Sequence, residues 1–149
     1  MYGISLDIGT SGIRAHAVEL DSGQIISTAI TEHHPLPGGN VMDHLTFCIN
    51  MGVGLAHDIM MSTVNRLISV LGVDLGKVSK VGICGNPIQL SIFQNMEIRD
   101  LAFAGDNALK ALHVPIQKRN ARILPAIDLG LDLKDSAVLM VPPAIKHEI

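Results

Sequence analysis

The sequence predicts an α/β domain, a mixed sheet of five strands in the chain order βββαβαβ with flanking helices. Three observations lead there. Apolar runs separated by tight turns open the chain at Ile4–Ile8, Ile13–Leu20 and Gln24–Thr31. A long stretch of helical period comes next, from Val41 to Leu71. Two short apolar runs, Val81–Cys84 and Ala137–Val141, then come after connections long enough to cross a sheet, which favours their parallel addition.

Each element has a local reason. Gly9-Thr10-Ser11-Gly12 turns the first strand into the second, where Ile13, Ala15 and Ala17 alternate with Arg14, His16 and Val18. Asp21-Ser22-Gly23 is a hairpin turn into the third strand. The prolines and glycines of HHPLPGGN, His33 to Asn40, make a loop, and Asn40 is placed to cap the helix that begins at Val41. Val53, Ala56, Met60, Val64, Leu67 and Leu71 fall on one helical face, with a kink or break expected at Gly52 and Gly54. Gly85-Asn86-Pro87 starts a helix over Pro87–Asn95, with proline in the first turn, where its missing N–H has no helical partner to lose. Residues 96–135 read as loop with small elements, a short helix at Leu109–Leu112 among them, and Pro142-Pro143 stops the last strand.

Composition excludes several classes. The chain has 149 residues, enough for one domain with a core, and is 48% hydrophobic. Its most apolar stretch, Leu45–Ala56, lies between His44 and His57 and falls short of the ~20 residues a membrane span needs. A net charge of −3, no basic run, one Tyr and no Trp argue against nucleic acid as a partner. The N-terminal MYGISLDIG has no basic region or signal-peptide pattern. Cys48 and Cys84 are isolated, so a reducing, cytoplasmic setting is expected.

The chemistry concentrates at Asp7 and the turn after it. A phosphate chain needs N–H groups and hydroxyls converging on a space free of bulk, and the Gly9–Gly12 turn with Thr10 and Ser11 offers that composition. Asp7, at the carboxyl end of its strand, suits a hydrated Mg²⁺. The same residues also fit an ordinary hairpin turn whose aspartate bonds the loop backbone, and they do not decide between the two.

DIGTSG on a first hairpin followed by βββαβα resembles the first phosphate loop of the ATPase superfamily of actin, sugar kinases and heat-shock chaperone ATPases. That resemblance implies a ribonuclease-H-like, actin-like ATPase lobe. MYGISLDIGTSGIRAHAVEL, HHPLPGGNVMDHL, GICGNPIQLSIFQNMEIRDLAFAG and VPPAIKHEI resemble, more narrowly, the N-terminal part of the ATP-dependent reductive activases of methylamine methyltransferase corrinoid proteins, over essentially the whole chain. The resemblance implies ATP hydrolysis coupled to return of a corrinoid carrier from Co(II) to Co(I), with ATP and Mg²⁺ as cofactors. It implies a corrinoid protein as partner, and Asp7, Gly9, Thr10, Ser11 and Gly12 on the phosphates and magnesium, Asp7 being both metal ligand and catalytic residue. Gly85 and Asn86 would face the same cleft. A second phosphate loop is lacking, since Asp128-Leu129-Gly130-Leu131 has no hydroxyl, and so is a cysteine cluster for iron–sulfur centres. The chain is accordingly expected to be one lobe of a longer protein, with half an ATP site, inactive alone and prone to dimerise or exchange elements between copies. A sugar or metabolite kinase lobe and a non-catalytic interaction module are the alternatives.

Other clusters have plainer expectations. His33, His34, His44 and His57 have no metal-site spacing and are expected to be solvated or hydrogen-bonded. Asp43 suits the positive end of a helix, and Met42, Met51, Met60 and Met61 suit packing. Lys118, Arg119 and Arg122 read as a solvated loop, and Glu97, Arg99 and Asp100 as an ion pair tying a loop to the sheet.

Overall fold

Ile4, Leu6 and Ile8 are buried on one side of the opening strand, while Ser5 and Asp7 are exposed on the other. This period of two builds β1 (Tyr2–Ile8), and Ile13, Ala15 and Ala17 repeat it in β2 (Ile13–Glu19). With β3 (Ile25–Ile30) they form the expected antiparallel meander, Leu6 opposite Ala15 and Ala15 opposite Ala29. The structure is a computed structural model and describes residues 1–102 and 110–144. The short helix expected at Leu109–Leu112 therefore begins outside the described residues, as does the end of the VPPAIKHEI stretch.

β4 (Val78–Gly85) lies parallel to β1 with Ile83 opposite Leu6, and β6 (Val138–Val141) lies parallel to β4. Both late strands thus join as the crossover argument requires. The sheet has six strands rather than five, in the order β3-β2-β1-β4-β6-β5. The additional strand, β5 (Arg122–Pro125), runs antiparallel along β6 at the edge. It is four residues long, buries none of them fully and ends in proline, so no alternation marks it in the sequence.

The helical stretch expected over Val41–Leu71 breaks at Gly52, one of the two glycines expected to break it, into α1 (Val41–Met51) and α2 (Val53–Val70). Between them Gly52 has φ 95°, which a side chain would resist, and its N–H returns to Cys48 O. Gly54 stays inside α2. Ala56, Met60, Val64 and Leu67 are buried where α2 meets β2 and β3. Every residue of α3 (Pro87–Phe93) is buried, packed among α1, α2 and β4. With the short α4 (Arg99–Ala102), and two 3-10 turns aside, the order among the described residues is βββααβααββ in place of βββαβαβ. No helix among the described residues is long and apolar enough to cross a membrane.

Asn40 caps α1 as expected: its side-chain oxygen accepts from Asp43 N at 3.0 Å, and Asp43 Oδ2 accepts from Gly39 N at 3.0 Å. Removing the cap with Asn40→Ala is predicted to lower stability by about 1 kcal/mol, read as a lower urea midpoint at unchanged slope. The methionines divide, with Met60 and Met61 in the core and Met42 and Met51 exposed.

Arg119 departs from the solvated-loop expectation. Its guanidinium is nearly buried and donates to Ser91 Oγ at 2.9 Å, to Asp100 Oδ2 at 2.7 Å and Oδ1 at 2.9 Å, and to Glu97 O at 2.8 Å. The Glu97–Arg99 pair, by contrast, is local and partly exposed, so Asp100 carries the tie that the sequence assigned to the group as a whole. Sequence spacing could not pair Asp100 with an arginine from a separate segment.

Candidate functional site

The carboxyl ends of β1 and β4 lie side by side, with Asp7 opposite Cys84 and Ile8 opposite Gly85. Strand alternation turns Asp7 away from the core, so its carboxylate is exposed at the lip of the sheet. Beyond it the turn folds on itself: Gly9 N donates to Gly12 O at 3.0 Å. Thr31 pins the far side, since Ile13 N donates to Thr31 Oγ1 at 2.9 Å and Thr31 N donates to Ile13 O at 3.0 Å. A Cβ on Gly12 would stand 2.8 Å from Thr31 Oγ1, so the bend can come this close to Thr31 with glycine alone. Among the described residues, the N–H groups of Thr10, Ser11 and Gly12 have no protein acceptor.

A recess of about 370 Å³ opens at this turn. Asp7, Gly9, Ser11 and Gly12 line it, together with Arg14, Thr31 and Glu32. Thr10 does not line it, and neither do Gly85 and Asn86, which sit at the neighbouring strand end. Asn86 uses its side-chain oxygen to cap α3, accepting from Gln89 N at 3.0 Å. Arg14, directly opposite Asp7 in the ladder, and Glu32 are wall residues that the sequence did not single out. The period of two could have found Arg14, because it places Arg14 and Asp7 on the same side of paired strands.

The electrostatics of the recess come from this wall. Asp7 and Glu32 supply carboxylate oxygens and Arg14 a cation, with free backbone N–H groups between. A single carboxylate, here Asp7, plus phosphate oxygens and retained waters is a donor set that Mg²⁺ takes, so the residues present fit such an ion, with Glu32 a wall residue only. Cys84 lies beside Asp7, and its thiol is pushed up first by burial, then by the Asp7 charge and a hydrogen bond to that carboxylate. It is therefore a protonated neighbour of the site rather than a thiolate. On the outward face of the sheet a trough of about 610 Å³ runs over Gly3, Ser5, Gly82 and Met140, and Asp7 lines its end as well as the recess.

Comparison with known proteins agrees with this architecture. A curated relative from Methanosarcina barkeri, named "Co(II) methylated amine-specific corrinoid protein reductase", is 51% identical over 150 aligned residues, which take in all of this chain and 28% of the relative. The chain thus spans little more than a quarter of that protein. A solved structure titled "Reductive activator for corrinoid,iron-sulfur protein" superposes with a TM-score of 0.79 at 18% identity, over 96% of this chain and 23% of that one. Acetate kinase from Entamoeba histolytica superposes with a TM-score of 0.51 at 12% identity, over 99% of this chain and 48% of that one. These structural likenesses show a fold shared with both proteins. The model of the RACo middle region matches residues 2–147, and the chain belongs to that family.

Proposed function

We propose that this chain is a nucleotide-binding lobe of an ATP-dependent reductive activase, which returns the corrinoid of a methylamine methyltransferase corrinoid protein from Co(II) to Co(I). The observation that carries the reading is the turn itself. Among the described residues the N–H groups of Thr10, Ser11 and Gly12 are unengaged, and Ser11 and Gly12 share a recess with the exposed strand-end carboxylate of Asp7. The family membership and the name of the 51% identical relative support the substrate. In this reading the N–H groups of Thr10, Ser11 and Gly12 would hold phosphate oxygens, Asp7 would hold a Mg²⁺ ion, and Arg14 would offset phosphate charge. Gly85 and Asn86, at the neighbouring strand end and outside this recess, would face the nucleotide from there. Such an ion would supply charge neutralisation at the transferred phosphoryl group. Return of cobalt from Co(II) to Co(I) takes one electron, which iron–sulfur clusters in the rest of the protein would supply. The second wall of the nucleotide site also lies outside this lobe, so the lobe contributes half a site.

Asp7 is exposed, so Asp7→Asn should leave the fold intact. In the intact protein it is predicted to weaken Mg-ADP binding by about tenfold to a hundredfold, and to leave the much weaker metal-free binding unchanged. Calorimetry with and without Mg²⁺ reads both. Equal affinity in the two proteins would reduce the turn to an ordinary hairpin.

A further inference from the structure

His34, Gln89 and His44 form one hydrogen-bonded chain inside the protein. Leu36 N donates to His34 Nδ1 at 3.0 Å, and His34 Nε2 meets Gln89 Oε1 at 2.7 Å. Gln89 Nε2 meets His44 Nδ1 at 2.8 Å, and His44 Nε2 reaches Gly38 O at 3.3 Å. The two imidazoles stack with ring centroids 3.9 Å apart, and all three side chains are buried, Gln89 and His44 completely.

The ends of the chain fix its direction. A backbone N–H at Leu36 can only donate and a backbone carbonyl at Gly38 can only accept. Every link is satisfied when both imidazoles are neutral and carry their proton on Nε2. A second proton on His34 sets its Nδ1–H against the Leu36 N–H. A second proton on His44 sets its Nδ1–H against the Gln89 amide group. Turning the amide over does not help, because its NH₂ would then face the Nε2–H of His34. Each added proton therefore leaves two donors facing each other in a buried place, and the chain must open.

We propose that His34, Gln89 and His44 are an acid-released clasp holding the connection from Thr31 to Asn40 against α3. The connection begins with Thr31 and Glu32, which wall the recess at the phosphate turn, and α3 begins beside Asn86, so the clasp joins the segments behind the two strand-end loops. The surroundings fit a neutral pair. Burial pulls His34 down to about 4, against a partial rise from the Gln89 bond, and the neighbouring His44 lowers it further. Burial also lowers His44, opposed by the Gly38 carbonyl and the Asp43 charge. Asp43 on α1 is the charged group acting on the pair, and it is already engaged with Gly39 N. His33 and Glu32 on the connection are exposed, α3 has no titratable side chain, and His57 on α2 is bonded to Ile92 O.

The test is hydrogen exchange and imidazole ¹⁵N spectroscopy on the full chain, wild type and Gln89→Glu. A closed form that protonates near 4 and an open form that protonates near 6.5 raise the opening constant about tenfold between pH 7.5 and 5.5. Wild type should show that rise at the Leu36 amide after correction for intrinsic exchange, with both Nδ1 atoms reading as unprotonated at pH 7.5. In Gln89→Glu the carboxylate accepts from His34 Nε2–H and from a protonated His44 Nδ1–H together, so acid should no longer open the clasp. The same acid response in both proteins overturns the proposal. If the variant fails to fold, wild-type imidazoles that titrate near 6.5 while Leu36 stays protected overturn it equally.

Discussion

Arg119→Met is expected to lower the unfolding free energy by about 3–5 kcal/mol, the range for removing one partner of a buried ion pair. Methionine keeps most of the stem volume but returns none of the four short donor contacts. Asp100 would remain buried with Gln117 N, at 2.9 Å, as its remaining donor among the described residues. The pH dependence should change sign with it. Burial by itself pushes the Asp100 carboxyl up, but the Arg119 hydrogen bonds, the Gln117 N–H and the Arg119 charge outweigh it and hold the group below its ordinary range. The wild-type group thus contributes stability above the unfolded carboxylate pKa and loses it as pH falls through the lower folded value. Without Arg119, burial prevails and the folded value rises above the unfolded one. The Asp100 contribution is then present at low pH and lost as pH rises through the folded value. Urea unfolding at pH 7 and pH 5 should therefore show a smaller deficit for the variant at pH 5. A deficit below about 1 kcal/mol, or one indifferent to pH, would show that the cluster is a surface pair in effect.

Phe93→Ala should cost a similar amount, about 3–5 kcal/mol. Phe93 is 0% exposed and closes the last turn of α3, the helix packed among α1, α2 and β4. Truncation loses the burial of an aromatic ring and leaves a void that a helix held on three sides cannot collapse to fill. Phe93→Leu should recover more than half of the loss, because the residual cavity sets much of the cost. Denaturant midpoints at constant slope would measure both. Equal effects of alanine and leucine would mean that α3 shifts to close the gap.

The meander, the parallel additions, the Asn40 cap, the Pro87 helix start and the inward face of α2 were all legible in the sequence, because each rests on a local pattern a few residues long. β5 was not, since Arg122–Pro125 gains its place by pairing with β6 rather than by any period of its own. Gly52 and Gly54 both advertised a break, but only the torsion of Gly52 decides between them. At the site, Asp7 and the glycines were visible as a motif, whereas Thr31 and Glu32 reach the recess through the β2–β3 register. Arg119 and the histidine pair show the limit most clearly. Arg119 reads as solvated, and the histidines as solvated or hydrogen-bonded, but the partners that bury them lie far off in the chain, and nothing in their spacing marks them.

β1 stands in the interior of the sheet, yet the strand on its second side, β4, begins at Val78. A ribosome adding roughly 5–20 residues per second needs several seconds to deliver it. Hairpins of β1–β3 that form before then would leave one flank of β1 unpaired, its backbone N–H and C=O groups open to another strand. A chaperone that shields this flank during synthesis is expected to raise the yield of folded chain.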